Sequence, residues 1–138
     1  MKKPHKNKTL ATLLAFLTGG LGLHRFYLAG LFDRWGLAHA ATVPLTGLLM
    51  AVFPDQPAMF TASPLILSGL IGFIEALVIG LTPDEKWDER YNAASGRRSH
   101  SGWPLAVLLV LTLGAGAVAV IATLARTFDL LYTGGAFG

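Results

Sequence analysis

The chain has 138 residues, of which 53% are hydrophobic and 14% charged, with a net charge of +3. A soluble domain of this size carries about 25% charged residues, so this composition excludes an ordinary water-covered globule. The sequence holds 0 cysteines, which excludes disulfides, thiolate catalysis, thiolate zinc sites and iron–sulfur clusters.

Residues 1–8, MKKPHKNK, form a basic polar head, and residues 9–23 form a first apolar run ending in Gly19, Gly20 and Gly22. At 1.5 Å per residue this run reaches about 22 Å as a helix, short of the ~30 Å hydrocarbon core. Its glycines favour a bend or a close backbone contact. A basic head before a short apolar core also fits a signal peptide, but no small-x-small cleavage site precedes His24. Asn7-Lys8-Thr9 matches a glycosylation sequon by chance, because it abuts the basic head.

Residues 24–35 are mixed and aromatic. Residues 36–53 form a second apolar run with Pro44 inside it, and residues 54–63 read as a turn. Residues 64–81 form a third run, residues 82–102 are strongly charged, and residues 103–125 form the fourth and longest run. The expected fold is all-α. It is an integral membrane hairpin or bundle of three or four hydrophobic helices, the first of them short or re-entrant, with a short interfacial helix after the third.

The basic residues choose between these arrangements. If all four runs cross, Lys86, Arg90, Arg97 and Arg98 lie on the face opposite the head. If the first run turns back at its glycines, the head, the 24–35 segment and the 82–102 segment share one face, and Arg126 alone lies opposite. Lys and Arg concentrate on the cytoplasmic side, so the re-entrant arrangement with a cytoplasmic N-terminus is favoured. It requires protein to cover the non-helical glycine turn.

The segment Gly19-Gly-Leu-Gly-Leu-His-Arg-Phe-Tyr-Leu-Ala-Gly30 resembles the signature of the two-transmembrane-domain family, also called NINE-type domain proteins. That family has a Lys-containing head, an apolar run, a glycine-rich turn, then a polar residue, Arg or Lys, Phe, Tyr, Leu and Gly. Here Ala29 stands where glycine is common. Residues 72–91, from Gly72 and Glu75 through Thr82-Pro-Asp-Glu-Lys-Trp-Asp-Glu-Arg-Tyr91, look like the family's end. The resemblance covers residues 1–93. It implies a membrane domain with an expanded middle, followed by an added helix and tail over residues 94–138. It implies membrane location and no particular activity. The prokaryote-like form of the motif points to a bacterial inner membrane.

Glu75 lies inside the third run, and an intramembrane carboxylate is a functional candidate by default. Arg25 and His24 lie at the mouth of the first turn, with His39 near the same depth. Arg25 is the expected partner of Glu75, and His39 a hydrogen-bond partner beside them. A structural ion pair that fixes helix register is the simpler reading of this cluster. A proton or cation relay is the alternative, and the rest of the membrane offers it only Thr42, Thr46, Ser63 and Ser68.

Small residues recur every four positions at Ser68, Gly72, Ala76 and Gly80, at Ala11, Ala15 and Gly19, and at Ala115, Ala119 and Thr123. Such stripes let helix backbones approach closely in lipid. Thr82 and Glu85 read as a capping box that opens a surface helix. Its Trp87 and Tyr91 would sit at the interface, and Arg97 and Arg98 would anchor to anionic headgroups. Asp84, Glu85, Asp88 and Glu89 read as a solvated face.

No nucleophile motif, phosphate loop or metal spacing occurs, and His5, His24, His39 and His100 lack ligand spacing. The expectation is therefore no catalytic residue, no metal and no cofactor. Expected partners are membrane lipid and either a second copy or a larger membrane complex, and not nucleic acid. The function expected is a non-catalytic accessory or scaffold subunit; the alternative is an oligomeric channel or proton-coupled component that uses Glu75.

Overall fold

The computed structural model describes residues 4–137, so Lys2 and Lys3 of the basic head lie outside the described residues. Helix α1, Lys8–Thr18, opens with the side chain of Asn7 accepting from the Leu10 amide at 3.0 Å, which satisfies one free N–H of the first turn. The helix ends in a tight 3₁₀ turn, Gly19–Leu21, and Gly22 takes a left-handed φ of 75°. That backbone reverses the chain into α2, Leu23–Ala29. A side chain at Gly22 would also come within 2.8 Å of the Gly36 carbonyl, so glycine is required there twice over.

Helix α2 folds back along α1. The Lys6 ammonium donates to the Tyr27 carbonyl at 2.6 Å, and the Asn7 amide donates to the Tyr27 hydroxyl at 2.9 Å. Residue 27 thus returns to the level of residues 6 and 7, and the first apolar run doubles back as a hairpin.

Helix α3, Arg34–Val52, starts where Asp33 caps the Gly36 amide at 2.8 Å and continues through Pro44. A one-turn α4, Ala58–Thr61, carries the chain into α5, Ser63–Leu81, which has proline in its first turn. After α5 come α6, Asp84–Trp87, and a π-helical turn, Asp88–Asn92. Helix α7, Trp103–Thr133, completes the fold. Helices α3, α5 and α7 are long and apolar enough to cross a membrane, whereas α1 is not. The molecule is all-helical among its described residues.

The packing centre is the face between the hairpin and α5. Ala11, Ala15 and Gly19 of the hairpin and Ser68, Gly72, Ala76 and Gly80 of α5 are all buried. At their closest, a methyl group placed on Gly19 would stand 2.5 Å from the Cα of Gly72. This is small-residue packing, in which the backbones themselves touch. Helix α5 also covers the glycine turn, as non-helical backbone at membrane depth requires.

Helix α7 runs antiparallel to α5: Leu109 packs over Gly80, and Gly116 packs against Phe73. Its buried ridge is Leu105, Leu108, Thr112 and Gly116. Ala115 and Ala119 lie half-buried on the shoulder of that ridge. At 31 residues α7 is about 46 Å long, more than a bilayer core needs, and its fully buried residues all lie in its first half.

Candidate functional site

Glu75 sits two turns inside the end of α5, on the side facing α2 and α3. Arg25 of α2 reaches it with two nitrogens, the Nε at 2.7 Å from Oε1 and Nη2 on the same oxygen. The second oxygen, Oε2, meets His24 Nε2 at 2.7 Å and His39 Nε2 at 3.0 Å. His24 has 0% exposure, and its ring lies edge-on to that of His39 at 5.9 Å. The structure therefore brings Glu75, Arg25, His24 and His39 into one cluster.

A sequence reading missed how this cluster is tied to the turn. Ser68 belongs to the small-residue stripe, and its hydroxyl also donates to the Gly20 carbonyl at 2.8 Å and meets His39 Nδ1 at 2.6 Å. A chain of contacts thus runs from the glycine turn through Ser68 and His39 to Glu75. The dual role has no signature in sequence, because a serine in a small-residue stripe looks like a glycine substitute.

One end of the molecule, here termed the head end, carries a second polar assembly. Lys8 is 5% exposed, pairs with Asp84 and donates to the Thr82 carbonyl at 2.8 Å. Asp84 also accepts from the Ser101 amide at 2.7 Å and its hydroxyl at 2.5 Å. Burial pushes the Asp84 carboxyl up, but the hydrogen bonds from Lys8 and Ser101, aided by the Lys8 charge, outweigh it and hold the carboxyl down at about 2. Asp88 repeats the pattern with Ser99, accepting from its amide and hydroxyl at 2.6 Å, and with Asn92 at 2.8 Å. Partial burial raises the Asp88 carboxyl, and the bonds from Asn92 and Ser99, with His5 nearby, lower it further.

These observations correct the surface-helix expectation. No side chain caps α6, and the Thr82 hydroxyl instead donates to Val78 of α5 at 2.7 Å, so Thr82 and Glu85 form no capping box. The regular helix lasts one turn before the π-helical turn, and Asp84 and Asp88 face Lys8, Ser99 and Ser101 and are not a solvated face. Trp87 is not a lipid-facing anchor. It is 1% exposed, and its indole N–H donates to the Lys6 carbonyl at 3.0 Å, closing the head onto the 82–101 segment. Tyr91 is half-buried against the Trp87 ring at 4.4 Å. Arg97 and Arg98 are exposed at the same end.

Between α3 and α5, on the flank of the cluster, lies a groove of about 440 Å³. Arg25, Glu75 and Trp35 border its head-end mouth. Ala38, Leu67 and Pro64 are among the residues that wall it further along.

Three comparisons with known proteins bear on identity. Residues 4–53 match the TM2 domain. Over 87 residues, 63% of this chain and 82% of the relative, the sequence is 36% identical to YozV of Bacillus subtilis (strain 168), described as an uncharacterized membrane protein. No solved structure matches the chain. The head that pins Tyr27, the glycine turn and α3 all fall within the matched domain, and the chain belongs to the TM2-domain family of membrane proteins.

Proposed function

We propose that this membrane protein is a non-catalytic accessory or scaffold subunit of a bacterial inner membrane, with its N-terminus in the cytoplasm. The observation that carries this reading is the closed state of its polar centre. Both oxygens of Glu75 are engaged by side chains of α2 and α3, and the cluster joins those helices to α5. Beyond the cluster, the Thr42 and Ser63 hydroxyls bond nearby backbone carbonyls, so they lead no proton onward. A relay needs a polar path through the whole bilayer, and a closed knot in one half of it serves as a brace. The head-end clasp of Lys8, Asp84 and Trp87 braces the same hairpin from the other side. A rigid body of this kind works by offering helix surfaces to a partner.

Extraction in mild detergent, followed by sizing and identification of what co-purifies, tests the reading. A stoichiometric larger membrane partner supports it. A homo-oligomer without partner shifts the weight to the second reading.

That second reading is a proton-coupled oligomer, favoured by the direct contact of three titratable side chains, His24, His39 and Glu75. A pH-dependent current in liposomes that disappears on Glu75→Gln would establish it.

A further inference from the structure

Helix α7 packs on the bundle with one face, the ridge of Leu105, Leu108, Thr112 and Gly116, and leaves the opposite face uncovered. On that opposite face Trp103, Val110, Ala117, Leu124 and Leu131 recur every seven residues, and an apolar side chain or a glycine stands four places after each of the first four. All of these positions are exposed. From Trp103 to Leu131 the stripe runs about 42 Å. Its period of 3.5 is that of helices wrapped around each other, whereas a straight helix holds a stripe with a period of 3.6.

Inside the bilayer, lipid tails cover such a face. Past the bundle they do not. Leu109 packs over Gly80 and Gly116 against Phe73, so Ser63, the first residue of α5, stands level with Arg126. The last turns of α7, ending at Thr133, project about 10 Å beyond it. The stripe continues there without a break, with Phe128 55% and Leu131 63% exposed. Arg126, Asp129 and Thr133 lie on the faces away from it, where Asp129 accepts from both Arg126 and Thr133. The projecting segment is thus amphipathic, with an apolar side that the described residues leave bare.

A second copy of this chain fits that side. Copies in one membrane share one orientation, so a two-fold axis along the membrane normal pairs two α7 helices parallel and in register. The partner helix then has the same length, starts at the same level and projects as far. Each residue on the axis meets its own counterpart, so a charge there would meet a like charge. The stripe carries none, because Arg126 and Asp129, the charges of α7, point away from it.

We propose that α7 is the contact between two copies of this protein, which pair as a parallel two-stranded coil along the stripe from Trp103 to Leu131. Phe73, against which α7 packs, and Glu75 point to opposite sides of α5, so the pair builds no channel around the Glu75 cluster. The pairing therefore favours neither functional reading. The oligomer that would support a relay is one built on the side of α2 and α3.

The test uses the full chain in membrane vesicles and, after extraction, in mild detergent. With 0 native cysteines, Ile121→Cys and Leu131→Cys each place one thiol on the stripe, and Ala122→Cys places one beside it at nearly the same depth. Under mild oxidation in vesicles the two stripe variants are expected to form linked pairs about tenfold faster than Ala122→Cys, because a disulfide needs Cα atoms ~4.4–6.8 Å apart. In detergent, native mass spectrometry is expected to show two copies per particle. Phe128→Glu together with Leu131→Glu, both past the bundle, is expected to weaken the pairing about tenfold, a loss of ~1.4 kcal/mol, with circular dichroism reporting that the variant is folded. Equal or absent linkage at Ile121 and Ala122 overturns the seam. An oligomer that keeps its strength in the folded double variant is built on another face and overturns it too. So does a larger protein that co-purifies in fixed ratio and blocks linkage at Ile121 and Leu131, since that protein would then be the occupant.

Discussion

Glu75 accepts from Arg25 and His24 of α2 and lies 3.0 Å from His39 Nε2 of α3, on the other side of the 31–33 loop. Removing one partner from such a knot costs more than the bonds themselves, because the remaining charges stay buried without compensation. Glu75→Ala strands Arg25 and is expected to destabilise the detergent-solubilised protein by about 3 kcal/mol in chemical unfolding. Arg25→Ala in the Glu75→Ala background should then cost far less than in the parent. Equal losses in the two backgrounds would show that the two residues do not act as a pair. Asp84 makes a prediction of different form. Its carboxyl sits near 2 in the fold against 3.8 as the ordinary value, so folding favours its charged form. The stability this contributes is fully present above pH ~4 and is lost as pH falls toward 2. Melting curves between pH 5 and 2.5 should show a decline that is smaller in Asp84→Asn. An identical decline in the variant would mean that Asp84 does not carry the acid sensitivity.

At the scale of elements, the decisive feature is how closely the hairpin and α5 approach. A methyl group on Gly72 would stand 2.6 Å from the Cα of Gly19, with backbone on both sides and no flexible side chain to move aside. Gly72→Ala should therefore cost about 1–3 kcal/mol, as overpacking does. Gly114 of α7 meets nothing within 4 Å, so Gly114→Ala should be neutral or stabilising by about 0.5–1 kcal/mol through lower chain entropy. Similar losses at both positions would remove the close approach as the cause. The α1 and α5 stripes were legible in the sequence because four-residue spacing of small side chains is a direct imprint of backbone contact. On α7 the imprint was blurred. Alanine and glycine populate several of its faces, and Leu105 and Leu108, which carry the buried ridge, look like any lipid-facing leucines. The Glu75 cluster was legible because a carboxylate in an apolar run demands partners. The Asp84 clasp was not, since an acidic stretch after a helix reads as solvated unless the serines that meet it, Ser99 and Ser101, are known to fold back.

For the whole molecule, the head end gathers Lys6, Lys8, the 82–101 segment and the start of α7. Residues 53–62 and Arg126 lie toward the other end, as the antiparallel run of α7 along α5 requires. Direct bonds across that end, from Lys6 to Asn92 at 2.7 Å and from Trp87 to Lys6, leave no membrane between the head and the 82–101 segment. With 0 native cysteines, single cysteines can report sidedness without background. Cysteine at Asn7 and at Arg98 should react with a membrane-impermeant maleimide from the same face of sealed vesicles. Cysteine at Asp55, in the turn after α3, and at Tyr132, near the end of α7, should react from the opposite face. In the proposed orientation, which rests on the excess of Lys and Arg, the face of Asn7 and Arg98 is cytoplasmic. Labelling of Asn7 and Arg98 from opposite faces would require the first run to cross the bilayer, and the hairpin with its glycine turn would fall with it. Labelling from the same face, but the outer one, would keep the hairpin and invert the molecule. In that case the head-end clasp rather than the excess of Lys and Arg would be what holds the chain in its orientation.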